Sequence, residues 1–281
     1  MGVWRHDGRG LAAAWLRLGR AFTLTVGLAS FVIDLPASAQ PAEPPQPQYG
    51  WQEVWAGADV TKDVWLLYSG VTLAPLSADS HSDGLRLRAA GGYGRYHYKA
   101  DTSNAGTGLC GNAGQDNCTT TRRQFNVDHS YAEALIGYQQ RFGELTAKGL
   151  IGIASITHAF DRVDRDNAAS GSSIGVKGVV ELWLNLGPAA WSSLDLSYAS
   201  AFDTGALRSR TGWRIVPTVS IGPEMRYDTN VEGQSVRGGG FLRYEWVGGE
   251  ISLAGGVAGN ALVPETKDLA GYGTLNILLQ Y

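Results

Sequence analysis

Few residues in this chain have the types and spacing that chemistry needs. Cys110 and Cys118 are the only two cysteines, and both sit in a stretch rich in Gly, Asn and Thr. In an oxidising compartment a pair closing a short loop forms a disulfide. Two thiols with no histidine beside them make a poor metal-ligand set, so neither a metal nor another cofactor is expected. Asp128-His129-Ser130 invites an acyl-transfer reading, with histidine and hydroxyl working on a lipid. On a strand, however, Asp128 and Ser130 point one way and His129 the other. Neighbours in sequence therefore cannot form the nucleophile and base pair. His97, His129 and His158 would each need a hydroxyl from another strand, and no catalytic residue is expected.

The charged residues form a larger pattern. Arg86, Arg88, Lys177, Glu181, Asp195, Arg208, Arg210, Arg214, Glu224, Arg226, Arg237, Arg243, Glu245 and Glu250 fall on one face of period-two segments, with apolar residues on the other. If the apolar face meets lipid, these charges face a lumen. There they either neutralise one another in a structural network or offer a surface for a polar ligand. Sugars suit such a surface, because they stack on aromatic faces and hydrogen-bond to Arg, Asp and Glu. Tyr96 and Tyr98 share a face with Arg86 and Arg88. The candidate glycan-binding set is accordingly Arg86, Arg88, Tyr96, Tyr98, Arg208, Arg210 and Arg214.

The elements that must position these residues are strands. Leu275, Ile277, Leu279 and the terminal Tyr281 alternate with Thr274, Asn276 and Gln280, as in the closing strand of an outer-membrane barrel. Upstream, runs of similar length are separated by Gly, Asp, Asn, Ser and Pro clusters. A first count gives eleven strands, with a long run at 205–227. Bacterial barrels have even counts, and Pro217 cannot donate to a central ladder, so the run divides there. This predicts an all-β, antiparallel up-and-down transmembrane barrel of twelve strands: 51–60, 64–74, 84–98, 125–142, 145–158, 173–187, 190–201, 205–215, 217–227, 234–246, 249–259 and 270–281. Loops 99–124, 159–172, 228–233 and 260–269 then lie outside, opposite short turns at Gly143-Glu144, Pro217, Gly187-Pro188-Ala189 and Gly248-Gly249. The strands at 64–74 and 145–158 alternate poorly, and Pro223 is expected to mark a bulge. Trp51, Trp55, Trp65, Trp183, Trp191 and Trp246 gather near strand ends, where they are expected to meet the membrane interfaces.

The N-terminus fits export. Arg5, Arg9, Arg17 and Arg20 precede or open onto an apolar run over 21–33, followed by Ala37-Ser38-Ala39. This reads as a signal peptide, 1–39, cut after Ala39. The segment 40–50 is a proline-rich periplasmic lead-in, and 51–281 is the barrel. Cleavage removes Arg5, Arg9, Arg17, Arg20, Asp7 and Asp34, so 23 basic and 26 acidic residues become 19 and 24. A mildly acidic chain is not suited to nucleic acid. The expected location is the bacterial outer membrane, with its lipids as partners.

Trp55-Ala56-Gly57, Tyr68-Ser69-Gly70, Ala74-Pro75, Asp83-Gly84-Leu85-Arg86-Leu87-Arg88 and Gly92-Tyr93-Gly94-Arg95-Tyr96-His97-Tyr98 occur in an order and spacing that resembles the BcsS family of cellulose biosynthesis proteins. Ile221-Gly222-Pro223-Glu224 and Gly271-Tyr272-Gly273 extend the resemblance over most of the chain after residue 39. The Cys110–Cys118 loop departs from that pattern. The resemblance implies a non-enzymatic outer-membrane barrel that assists export or surface anchoring of cellulose, with cellulose and the cellulose synthase secretion complex as partners. It implies no catalytic residue. The alternatives are a lipid-modifying outer-membrane enzyme and a small porin.

Overall fold

A computed structural model describes residues 50–77, 79–103, 120–162, 164, 167–260 and 269–281. Cys110 and Cys118, the signal peptide and nearly all of the lead-in lie outside these residues. Twelve strands run antiparallel: β1 Gln52–Thr61, β2 Val64–Leu73, β3 Gly84–Ser103, β4 Thr120–Phe142, β5 Leu145–Phe160, β6 Gly171–Asn185, β7 Ala190–Ala199, β8 Thr204–Val216, β9 Val219–Asn230, β10 Gly233–Trp246, β11 Gly249–Asn260 and β12 Ala270–Gln280. Each pairs with its neighbours in sequence, and β1 pairs with β12 to close the barrel. Closure leaves no unpaired sheet edge around the ring. An even count brings the start of β1 and the end of β12 to one rim, where the Gln52 N–H donates to the Tyr281 carbonyl at 3.2 Å and the Tyr281 N–H returns to Gln52 at 2.9 Å.

The division at Pro217 holds. β8 ends at Val216, β9 begins at Val219, and these two residues are paired across a two-residue turn. Pro223, by contrast, lies in an unbroken β9. Its register with β10 is regular, while the ladder to β8 skips Thr211 and Gly212 opposite Pro223 and Gly222, so the missing N–H falls where the ladder is already open. The register shift in this hairpin sits instead between Arg214 and Val216, beside the turn. Strands also run further than their alternation suggests. β3 and β4 pair out to Ser103 and Thr120, so both ends of the expected 99–124 loop are ladder.

Side chains sort by parity. Ile136, Ile151, Ile153, Ile174, Val176, Val180, Leu253, Leu275 and Ile277 are exposed on the outer face. Trp51, Phe142, Trp213, Trp246 and Tyr281 ring this surface near the terminal rim, and Trp65, Tyr93 and Tyr198 stand near the opposite rim. An apolar band bounded by aromatic girdles is the exterior that hydrocarbon demands. No helix among the described residues is long and apolar enough to cross a membrane. The two poorly alternating strands carry apolar residues on the inner face too. Leu150 of β5 packs with Leu135 and Val179 in a buried cluster inside the lumen, and Leu66 of β2 lines the cavity described below.

Candidate functional site

Three of the six tryptophans expected at the interfaces point inward. Trp183 and Trp191 stack on one another inside the barrel with ring centroids 4.3 Å apart and planes 17° from parallel. Trp191 is fully buried and donates its indole N–H to Ser220 Oγ at 3.1 Å. Phe241 adds a third ring 5.4 Å from Trp191. Arginines cover the stack: Arg243 lies 4.8 Å from the Trp183 ring and 5.0 Å from Trp191, and Arg210 lies 5.6 Å from Trp191 and 5.7 Å from Phe241. Gly212 makes the arrangement possible, since a Cβ there would collide with the Trp191 ring. Trp55, the third, lines the lumen with Asp59.

Between this layer and the terminal rim the lumen is filled. Residues 74–77 and 79–83 fold across the rim, with Ala74 and Ser80 buried. Arg86, 1% exposed, holds this segment by donating to the Ser80 carbonyl at 3.1 Å, to those of Leu85 and Ser82, and to Ser77 Oγ. Gln139 donates to Ser80 and Ser82 at 3.2 Å each. Asp79 caps the turn by accepting from the N–H and hydroxyl of Ser82 and the N–H of His81. Slight burial acts to raise its pKa, but these hydrogen bonds outweigh it and hold the carboxyl below its usual range.

Above the aromatic layer is a chamber of about 450 Å³, lined by Trp55, Asp59, Tyr68, Arg88, Asp195, Arg208, Arg210, Arg226, Glu250 and Asn276. Most of its charges are paired. Arg88 meets Glu181 at 2.6 Å, Arg208 meets Glu224 at 2.5 Å, and Lys177 meets Glu133. Asp59 receives both Arg226 at 3.0 Å and Arg237 at 2.5 Å, together with the Thr274 hydroxyl at 3.3 Å. These pairs satisfy the structural-network expectation for most of the lumen charges.

The chamber shares Tyr131, Glu133, Lys177, Asp228 and Arg237 with an outer cavity of about 710 Å³ that reaches the opposite rim. One wall of this cavity is aromatic. Tyr98 stacks on Phe125 at 5.3 Å and on Tyr96 at 6.3 Å. The Tyr96 hydroxyl lies 3.0 Å from His158 Nδ1, and His158 and His129, register partners on β5 and β4, face each other at 4.7 Å. Phe202 sits edge-on to His158 at 5.1 Å, from a tight turn in which its φ is +52°. The facing wall contributes Asp228, Asn230, Glu232 and Gln234. At the rim Asp161 accepts from the Asn126 side chain at 2.9 Å and its N–H at 3.1 Å, which holds its carboxyl below the usual range.

The expected glycan-binding residues thus divide among levels. Tyr96 and Tyr98 form the outer aromatic wall, and Arg88, Arg208 and Arg210 line the chamber beneath. Arg86 is committed to residues 74–83, and Arg214 reaches the Pro188 carbonyl at 3.2 Å near the terminal rim. Asp128 points outward to Arg95 at 2.7 Å and Tyr93 at 3.1 Å while His129 points inward, so the triplet is split as strand geometry requires. His97 engages Asp63 at 3.0 Å on the β1–β2 turn. Trp183 and Trp191 went unrecognised as lumen residues although parity carried the signal, since Trp183 shares its face with Lys177 and Glu181, and Trp191 with Asp195. Among the described residues no cluster of three or more His, Cys, Asp and Glu is arranged to hold a metal.

Three solved structures are similar to this chain in outline. The KdgM porin shares 7% identity at a TM-score of 0.44, over 82% of this chain and 99% of its own. Omp33 of Acinetobacter baumannii shares 12% at 0.38, over 84% and 100%. The translocator domain of the autotransporter NalP from Neisseria meningitidis shares 11% at 0.45, over 98% of both chains. No curated protein matches the sequence. The profile described as "Cellulose biosynthesis protein BcsS" matches residues 54–281, which spans every strand from early β1 to the C-terminus. The chain belongs to the BcsS family of cellulose biosynthesis proteins.

Proposed function

We propose that this protein is an exported outer-membrane barrel that assists cellulose biosynthesis without catalysing a reaction, by engaging the polymer during its export or surface anchoring. The observation that carries the reading is the lumen itself. This chain, a member of a family tied to cellulose biosynthesis, presents a cavity with stacked tyrosines on one wall and carboxylates and amides on the other. Glucan chains have apolar ring faces and hydroxyl edges, and this combination offers a partner to each. The exposed apolar belt supports placement in a membrane, and the apolar run and Ala37-Ser38-Ala39 support delivery across the inner one.

The inward histidines support a binding role over lipid chemistry. His129 and His158 face the cavity rather than the lipid surface, and the hydroxyl beside His158 is the Tyr96 phenol. Deleting the gene in a cellulose-producing strain is expected to lower the amount of cellulose exported or retained at the surface. Unchanged output and unchanged retention would defeat the proposal.

A further inference from the structure

The 450 Å³ chamber contains two charged side chains that the surrounding network leaves out. Asp195 on β7 and Arg210 on β8 both line it. Among the described residues, neither side chain has a hydrogen-bond partner or an opposite charge within ion-pair distance, and the two act on one another only at longer range. The other chamber arginines are different: Arg88, Arg208, Arg226 and Arg237 each hold a carboxylate. Arg210 instead lies over Trp191 and Phe241, its Nε enclosed without an acceptor. A lone carboxylate and a lone guanidinium in a shared enclosure are costly unless a ligand supplies both donors and acceptors.

We infer that the chamber is a blind subsite for the end of a β-glucan chain, whose last sugar hydrogen-bonds to Asp195 and Arg210. This rests on the glycan reading proposed above. A sugar's hydroxyls donate to the carboxylate and accept from the guanidinium at once, which a simple anion or cation cannot do. Trp55 and Tyr68 supply apolar walls at the same level. Chain access is from the loop rim, along Tyr96 and Tyr98, because the opposite direction is filled. Trp191, Phe241, Arg243, Arg86 and Gln139 are lumen residues, yet none exceeds 7% exposure. A water-filled passage through that level would leave them wet. The barrel therefore holds a chain from outside and does not conduct it.

The test is calorimetric titration of the purified full barrel in detergent with cellohexaose. The wild type is expected to bind, and Asp195→Asn and Arg210→Gln are each expected to weaken binding about tenfold or more, the scale of a lost charge-assisted hydrogen bond. Heat-modifiable migration identifies folded variants. If Asp195→Asn does not fold, Arg210→Lys, which keeps the charge but loses the planar fork, takes its place with the same expectation. A cyclic β-glucan, which has faces and hydroxyls but no chain end, is expected not to compete. Wild-type binding that both folded variants retain in full overturns the subsite and leaves the glycan reading standing. Equal competition by the cyclic glucan overturns the chain-end assignment. If cellohexaose does not bind the wild type at all, the glycan reading falls with it.

Discussion

Single residues in the lumen matter through their partners. Asp59 is the clearest example: one carboxylate, 7% exposed, accepts from two arginines and a threonine on three other strands. Asp59→Ala would leave Arg226 without its ion-pair partner and Arg237 with only Asp228 at 3.4 Å. Removing one side of a buried pair costs about 3–5 kcal/mol, so the urea midpoint of the folded barrel in detergent should fall clearly. Asp59→Asn, which keeps the acceptor oxygen, should recover part of that loss. At this scale the sequence was legible in parity but not in partnership. Alternation placed Arg208, Arg210 and Asp195 on the lumen side, but which arginine holds a carboxylate depends on strand register and closure: Arg208 meets Glu224 across the β8–β9 hairpin, and Arg226 meets Asp59 only once β1 closes on β12. Trp191 shows the same limit: its parity was readable, and its burial under two arginines was not.

The strands and turns were largely readable, because a period of two and turn residues are local signals. Pro217 divided β8 from β9 by its missing N–H, and an even count demanded that division. The ends of β3 and β4 were not readable. The sequences of 101–103 and 120–123 are wholly polar, as a loop's would be, and only the backbone ladder between them makes them strand. Residues 74–77 and 79–83 were also silent in sequence, although they close one end of the lumen. Their turn depends on the Asp79 carboxylate, whose folded-state pKa is depressed. The stabilisation is therefore full at neutral pH, declines as pH falls through the ordinary carboxylate range, and is gone once pH has passed below the depressed value. Amide protection of His81 and Ser82 in detergent micelles should follow that course. Asp79→Ala should abolish the protection at every pH.

As a whole, the molecule combines a sealed wall with a lumen that is filled at one end and hollow at the other. The family match places it in cellulose biosynthesis, and the apolar belt suits it to a membrane. The asymmetry within the lumen is what gives it a direction: aromatic and polar walls face the loop rim, while packed tryptophan, arginine and residues 74–83 face the termini. The most direct measurement puts a photoreactive phenylalanine analogue at Tyr98 in cells that are making cellulose, with the same analogue at Ile174 on the lipid face, 75% exposed, as the control. Irradiation should yield a slow-migrating adduct from the Tyr98 position, collapsed by cellulase, and none from the Ile174 position. A folded, surface-delivered barrel that gives no cellulase-sensitive adduct at Tyr98, or gives as much at Ile174, would contradict the account.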